Sequence, residues 1–184
     1  MIPPILTERL TLRTPTIEDL SGYLAYRNEP SALAAQMMEI TSETSARNFL
    51  HSQSQLAPDA FGWRMFAIEP RHNPGLIGEV GVFISEDNPE KGDMGWWMSA
   101  SCQGQGYATE AAKALVAWCF TARKMHRLTA QCLAANATSR RVMRKLGMRL
   151  ESQTVESRFL AGLWHDEVGY AILRHEWTKS LQSS

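Results

Sequence analysis

Cysteine is scarce in this chain: Cys102, Cys119 and Cys132 are three in 184 residues, an odd number without Cys-x-x-Cys spacing. No disulfide framework or zinc site is indicated. Long apolar runs are also missing. The best, Ala114 to Phe120, falls far short of the ~20 residues that span a bilayer. The opening "MIPPILTERL" meets an acid and a base too early to hold a signal-peptide core. Net charge is absent, nineteen basic residues standing against nineteen acidic, which argues against a dedicated nucleic-acid binder. There is no Walker lysine, and no acidic residue closes a strand where a dinucleotide ribose would need one. A soluble, cytoplasmic protein with neither membrane nor nucleic acid as partner is the expectation.

What is present is ordinary globular material. Hydrophobic residues make up 44% and charged residues 21%, and 184 residues suit one domain spanning 1–184. No linker, repeat or low-complexity tract divides it. "TERLTLRTP" alternates Leu10 and Leu12 with polar neighbours and reads as a first strand ended by Pro15. "TIEDLSGYLAYRN" offers Thr16 as an N-cap, Asp19 three residues on, and an apolar stripe of Ile17, Leu20 and Leu24. A second helix is expected from about Glu43 to Leu56, before Pro58. "FGWRMFAIE", "GLIGEVGVFIS" and "DMGWWMS" read as three strands, "HRLTAQCL" as another, and "ATSRRVMRKLG" as a helix with Gly147 as C-cap. "MRLESQTVESRFL" and "DEVGYAILRHEW" read as two closing antiparallel strands. The order β-α-α-β-β-β-α-β-α-β-β predicts a mixed α/β (α+β) sandwich around one central sheet, not a Rossmann alternation.

"SCQGQGYATEAAKAL" holds the most specific chemistry. Two glycines two residues apart precede Ala108, Ala111, Ala112, Leu115, Cys119 and Ala122, which recur at helical spacing. A bare loop entering a helix suits a phosphate, because a helix N-terminus offers unpaired N–H groups and partial positive charge. An ordinary glycine turn explains the same residues, and the pattern alone does not choose.

The wider motif set does. Gln103-Gly104-Gln105-Gly106-Tyr107-Ala108 matches the Gln/Arg-x-x-Gly-x-Gly/Ala signature. "DMGWWM", "GYATEA", "HRLTA", "NATS" leading into "RKLGM", "TERLTLR" and "HDEVGYAILRHEW" follow the same family order from Thr7 to Trp177. The sequence thus resembles the GCN5-related N-acetyltransferase (GNAT) superfamily, in particular its ribosomal-protein N-acetyltransferase branch.

That resemblance implies a mixed, mostly antiparallel sheet splayed at a β-bulge, with helices on both faces. It implies acetyl-CoA as acetyl donor and no metal, with direct transfer to an amine in a ternary complex. Residues Gln103 to Ala108 would hold the pyrophosphate through backbone N–H groups, and side chains at Gly104 and Gly106 would obstruct it. Thr109 would add a hydroxyl or serve only as a first-turn residue. Met98 would supply the N–H that polarises the thioester carbonyl, with Trp96 and Trp97 pointing to opposite faces. Asn136 would contact the cofactor, cap its helix, or do both. Many relatives carry a Tyr seven residues after this Asn to protonate the thiolate; here Met143 stands there, and Ser139 is the nearest substitute. Arg140, in a basic cluster with Arg141, Arg144 and Lys145, would meet the 3′-phosphate or form a solvated helix face.

An alkylamine is protonated at neutral pH and needs a base. Glu79 and Asp93 are the better placed carboxylates; Glu156, Asp166 and His165 lie on the closing hairpin, and water could also carry the proton. "NEPSALAAQMMEI", from Asn28 to Ile40, and the hairpin near Trp164 are expected to wall the acceptor. That acceptor is a protein N-terminal α-amine or a small-molecule amine. A homodimer is a family expectation. Two other classes stay open: a non-catalytic acyl-CoA sensor, toward which the missing Tyr leans, and a phosphate binder of another fold.

Overall fold

The computed structural model of the chain describes residues 2–30, 33 and 39–182. Eight strands among them form one sheet: β1 (Ile5–Leu6), β2 (Leu10–Arg13), β3 (Gly62–Pro70), β4 (Gly78–Ile84), β5 (Lys91–Met98), β6 (Arg127–Leu133), β7 (Arg149–Leu160) and β8 (Leu163–Leu173). The α-helices among the described residues include α1 (Leu20–Arg27), α2 (Glu43–Gln55), α3 (Tyr107–Thr121), α4 (Ala137–Lys145) and α5 (Arg174–Gln182). The strand order is β1-β2-β3-β4-β5-β6-β8-β7. Every neighbouring pair is antiparallel except β5–β6. This is the mixed, mostly antiparallel α/β architecture that the sequence implied.

Two apolar clusters, one on each side, hold helices to the sheet. On one side α3 buries Ala111, Ala112, Leu115, Val116, Cys119 and Phe120 against Val80, Val82, Met94 and Leu128. Those helix positions fall at i, i+1, i+4, i+5, i+8 and i+9, the stripe of an amphipathic helix. On the other side α1 and α2 pack Tyr23, Tyr26, Ala46 and Leu50 over Trp97. Trp96 and Trp97 therefore do face opposite ways. The Asp19 carboxylate accepts the Thr16 N–H at 2.8 Å, tying down the start of α1.

The β5–β6 seam makes the site possible. These strands pair over Lys91–Met94 and Arg127–Ala130 only. The β4–β5 ladder runs on to Met98 without a register shift, so the splay opens beside β5 without a bulge in that ladder. Ser99 donates its N–H to Ile77 at 2.8 Å. Ladder bonds alternate in antiparallel pairs, so Met98 and Trp96 must turn their N–H groups away from β4, into the gap.

Two boundaries differ from the sequence reading. The last strand ends at Leu173 rather than Trp177, and Arg174–Gln182 is helical. Glu176 accepts the Leu173 N–H at 2.8 Å, and Trp177 packs 5.5 Å from the Phe120 ring; contact with α3 outweighs local alternation. A short strand, β1, also precedes the expected first one. No helix among the described residues is long and apolar enough to cross a membrane.

Candidate active site

The loop after β5 answers why its backbone is bare. Gly104 and Gly106 have φ of 77° and 85°, a region costing other residues roughly 1–2 kcal/mol. Gly106 is the N-cap of α3, whose first internal bond runs from the Glu110 N–H to the Gly106 carbonyl at 3.0 Å. The N–H groups of Tyr107, Ala108 and Thr109 precede that bond and point out of the helix end. Among the described residues, adjoining ones aside, no atom lies within 4 Å of a Cβ built on Gly104, and a Cβ on Gly106 meets only Arg9 Nη2 at 3.4 Å. The protein itself leaves the space open; what the glycines secure is the left-handed backbone and a cradle free of side chains.

A cavity of about 220 Å³ lies over this loop. Met98, Gln103, Gly104, Gly106, Tyr107, Ala108 and Thr109 line one side; Asn136, Ser139, Arg141 and Lys145 line the other. Two expected residues, Gln105 and Arg140, do not line this cavity. Gln105 offers its carbonyl to Arg9 Nη1 at 3.1 Å and its side-chain amide to the Ser101 carbonyl. Arg140 donates Nη1 to the Ala134 carbonyl at 3.1 Å. Arg141 and Lys145 take the cavity-facing places in that cluster. The Gln103 amide donates to the Met98 carbonyl at 3.1 Å and braces the loop against β5.

Asn136 caps α4, its Oδ1 accepting the Ser139 N–H at 3.0 Å. The Asn136 amide nitrogen and the Ser139 hydroxyl have no partner among the described residues. Met143 is buried in the core, so its position donates no proton to either side.

A second cavity, about 440 Å³, opens on the other side of the splay. Trp96, Asn136 and Ser139 line both cavities, so the two meet there. Asp93, Gln131, Arg158 and Glu167 supply the polar groups of this second space, with Trp63 and Leu160 as apolar wall. Burial raises the Asp93 pKa, opposed by a hydrogen bond from the Thr129 hydroxyl at 2.8 Å. Cys132 also lines it; burial pushes that thiol up to about 11, so it is not a thiolate at neutral pH.

Glu79 lines neither cavity. Its carboxyl is buried beneath α1, ion-paired with Arg27, and burial raises its pKa against that pairing. Arg27 is in turn sandwiched 4.4 Å from the Trp97 ring centroid and 5.4 Å from that of Tyr23. On the hairpin, Asp166 accepts the Glu156 N–H at 2.9 Å, and His165 shares a 3.3 Å contact with the Leu160 carbonyl. Trp164 packs on Phe159 at its exposed tip. Of the segment 28–40, Met37 and Met38 lie outside the described residues.

The sequence reading missed Thr7 and Arg9. The Thr7 hydroxyl and the Arg9 N–H donate to Glu110 Oε1 at 2.6 and 2.9 Å, and Arg9 Nε to Oε2 at 2.7 Å. Burial pushes the Glu110 pKa up, but these bonds outweigh it and hold the carboxyl below its usual value. Arg9 also lies 4.6 Å over the Tyr107 ring. The only signal was "TERLTLR" as part of the resemblance; nothing local ties it to a helix a hundred residues away.

A splayed mixed sheet, with a glycine cradle at a helix N-terminus on one side and a second cavity across the gap, defines the acyl-CoA N-acyltransferase class. Residues 9–149 match the family model described as "Acetyltransferase (GNAT) domain", and the chain belongs to that family and is an N-acetyltransferase that uses acetyl-CoA. It is 30% identical over 173 residues to YnaD, an uncharacterized N-acetyltransferase of Bacillus subtilis, covering 94% of this chain and 98% of that one. It is similar in structure to a GNAT-family acetyltransferase from Bacillus anthracis, with a TM-score of 0.83, 27% identity and coverage of 94% and 99%. It also matches RimL, the ribosomal L7/L12 α-N-protein acetyltransferase solved with coenzyme A, at a TM-score of 0.81, 21% identity and coverage of 93% and 98%. Among the described residues no group of three or more His, Cys, Asp or Glu gathers to hold a metal.

Proposed function

We propose that the chain transfers the acetyl group of acetyl-CoA to a primary amine by direct attack, with donor and acceptor entering from opposite sides of the β5–β6 gap. The observation that carries this is the pair of cavities meeting at Trp96, Asn136 and Ser139. The cradle from Gln103 to Thr109 fits a pyrophosphate because its N–H groups converge on space no side chain fills. Arg141 and Lys145 add positive charge at the solvent end.

Trp96 and Met98 both turn an N–H into the gap, and the oxyanion donor is the one of Trp96, which lines both cavities, in place of the expected Met98. Trp96 stands at the junction and meets the thioester carbonyl; Met98 holds the arm beside it. The amine attacks, a C–N bond forms, the C–S bond breaks, and the thiolate leaves. Asp93 takes the proton from the amine: of the two carboxylates that line the acceptor cavity it is the one on β5 beside the gap. Glu167 lies on β8 and accepts the Ser157 hydroxyl, and Glu79 is enclosed with Arg27. The free hydroxyl of Ser139 assists the thiolate where Met143 cannot. The likeness to RimL supports a protein N-terminal α-amine as the acceptor class, and the second cavity admits a small amine equally in chemical terms.

The test is thiol release from acetyl-CoA across a panel of amines and N-terminal peptides, beside acetyl-CoA binding by calorimetry. Turnover with any acceptor supports the enzyme. Tight binding with no turnover anywhere would leave a sensor in its place.

A further inference from the structure

The acceptor cavity contains a charge with no partner. Arg158 lines it, and its guanidinium makes no hydrogen bond or ion pair among the described residues. Glu167, two strand positions away on β8 and lining the same cavity, does not neutralise it; that carboxylate accepts the Ser157 hydroxyl at 3.1 Å instead. Most of the arginines elsewhere are engaged: Arg13 with Asp19, Arg27 with Glu79, Arg127 and Arg149 with Glu151.

The hairpin is shaped to put Arg158 there. The β7–β8 register advances four residues, Thr154 to Arg158, while the partner strand retreats only two, Glu167 to His165. Glu156 takes the strain at φ 47° and is braced by Asp166. Two extra residues keep Arg158 on the sheet face that carries Glu167, Gln131 and Asp93, because side chains alternate along a strand. Leu133 on β6 pairs with Glu167, which pairs with Thr154 on β7. From β6, the near edge of the gap, to β7 is thus two strand spacings, about 10 Å, and the arginine side chain reaches back over much of that width.

We infer that Arg158 selects an acceptor whose amine carries an anionic group within one amino-acid residue of the nitrogen. The amine faces Asp93 and the splay, and the anion meets the guanidinium, which binds carboxylates in a two-pronged fashion. Two sources share that chemistry: the free carboxylate of an α-amino acid, and an acidic side chain on the first residue of a peptide. The inference rests on the acetyltransferase reading and narrows its acceptor.

Steady-state kinetics on the full chain compares three acceptor classes: free α-amino acids, their carboxamides, and dipeptide amides with an acidic or neutral first residue. The first and third arms identify the source. An anionic acceptor is expected to show a KM about ten- to a hundred-fold below that of its neutral counterpart. Arg158→Gln should raise KM for the anionic acceptor by the same factor, with kcat and the neutral acceptor's KM little changed, and Arg158→Lys should recover part of the loss. Because Arg158 is exposed on the hairpin, the variants are expected to fold, and far-UV spectra and thermal midpoints check that. Equal KM for charged and neutral acceptors, or an Arg158→Gln enzyme with unaltered selectivity, would overturn the inference while leaving the acetyltransferase intact. Acetyl-CoA binding without turnover on any acceptor would overturn both.

Discussion

Replacing Gly106 by Val separates a phosphate cradle from a simple turn. At φ 85° a β-branched residue is strained by at least about 1–2 kcal/mol. Space adds little at the Cβ itself, since the nearest described atom outside the adjoining residues is Arg9 Nη2 at 3.4 Å, an ordinary contact, although Glu110 holds that guanidinium in place. A domain of this size loses about 2–4 °C of thermal midpoint per kcal/mol, so a drop of roughly 2–8 °C is expected. The loop can escape the strain only by leaving the left-handed region, which swings the Gly106 and Tyr107 N–H groups off the cavity. Losing one charge-assisted hydrogen bond to a phosphate is worth about 1.5–3 kcal/mol, or roughly ten- to a hundred-fold in affinity. Calorimetry with acetyl-CoA, beside far-UV spectra and a thermal scan, reads both quantities. A midpoint that falls as calculated with wild-type affinity would show that the glycine serves the turn alone, and the cradle would fall with it.

Ser139→Ala should keep its helix cap, because the backbone N–H and not the hydroxyl bonds Asn136; the midpoint moves by no more than about 2 °C, while kcat falls about 10²-fold. Wild-type kcat with chemistry rate-limiting would remove Ser139 from thiolate departure. Asp93 has a raised folded pKa, so ionising it costs the fold: stability is greatest below its unfolded pKa and declines as pH climbs through the folded value. Asp93→Asn should therefore raise the midpoint at neutral pH yet depress kcat and abolish the acid limb of the rate profile, and an unchanged limb would assign the base elsewhere. Arg27→Ala strands the buried Glu79 carboxyl and should cost about 3–5 kcal/mol in urea unfolding. Adding Glu79→Gln should recover part of that; a loss under about 1 kcal/mol would contradict a buried pair.

Local chemistry wrote much of the molecule directly into the sequence. Gly104 and Gly106 before an alanine-rich helical stripe specify a left-handed entry to α3. Asn136 three residues before Ser139 specifies the α4 cap, and Leu10 and Leu12 specify a half-buried strand. These are near-neighbour effects of φ/ψ preference, capping and periodicity, and they appear in any window of a few residues. The C-terminal helix did not appear there, because Trp177 becomes helical through packing on Phe120, far back in the chain.

The site needed the tertiary structure. Asp93 and Glu79 look alike as carboxylates beside sheet glycines. Only strand register and the cover of α1 put one in the acceptor cavity and the other against Arg27. Arg140 and Arg141 are adjacent in one basic run, yet the helix turns one to the Ala134 carbonyl and the other to the cradle. Thr7 and Arg9 reach Glu110 across a hundred residues, and Arg158 gains its place from a two-residue insertion in a hairpin register. Each depends on which side of a surface a side chain emerges and what lies opposite. That is decided when the sheet closes and splays, and no local propensity encodes it.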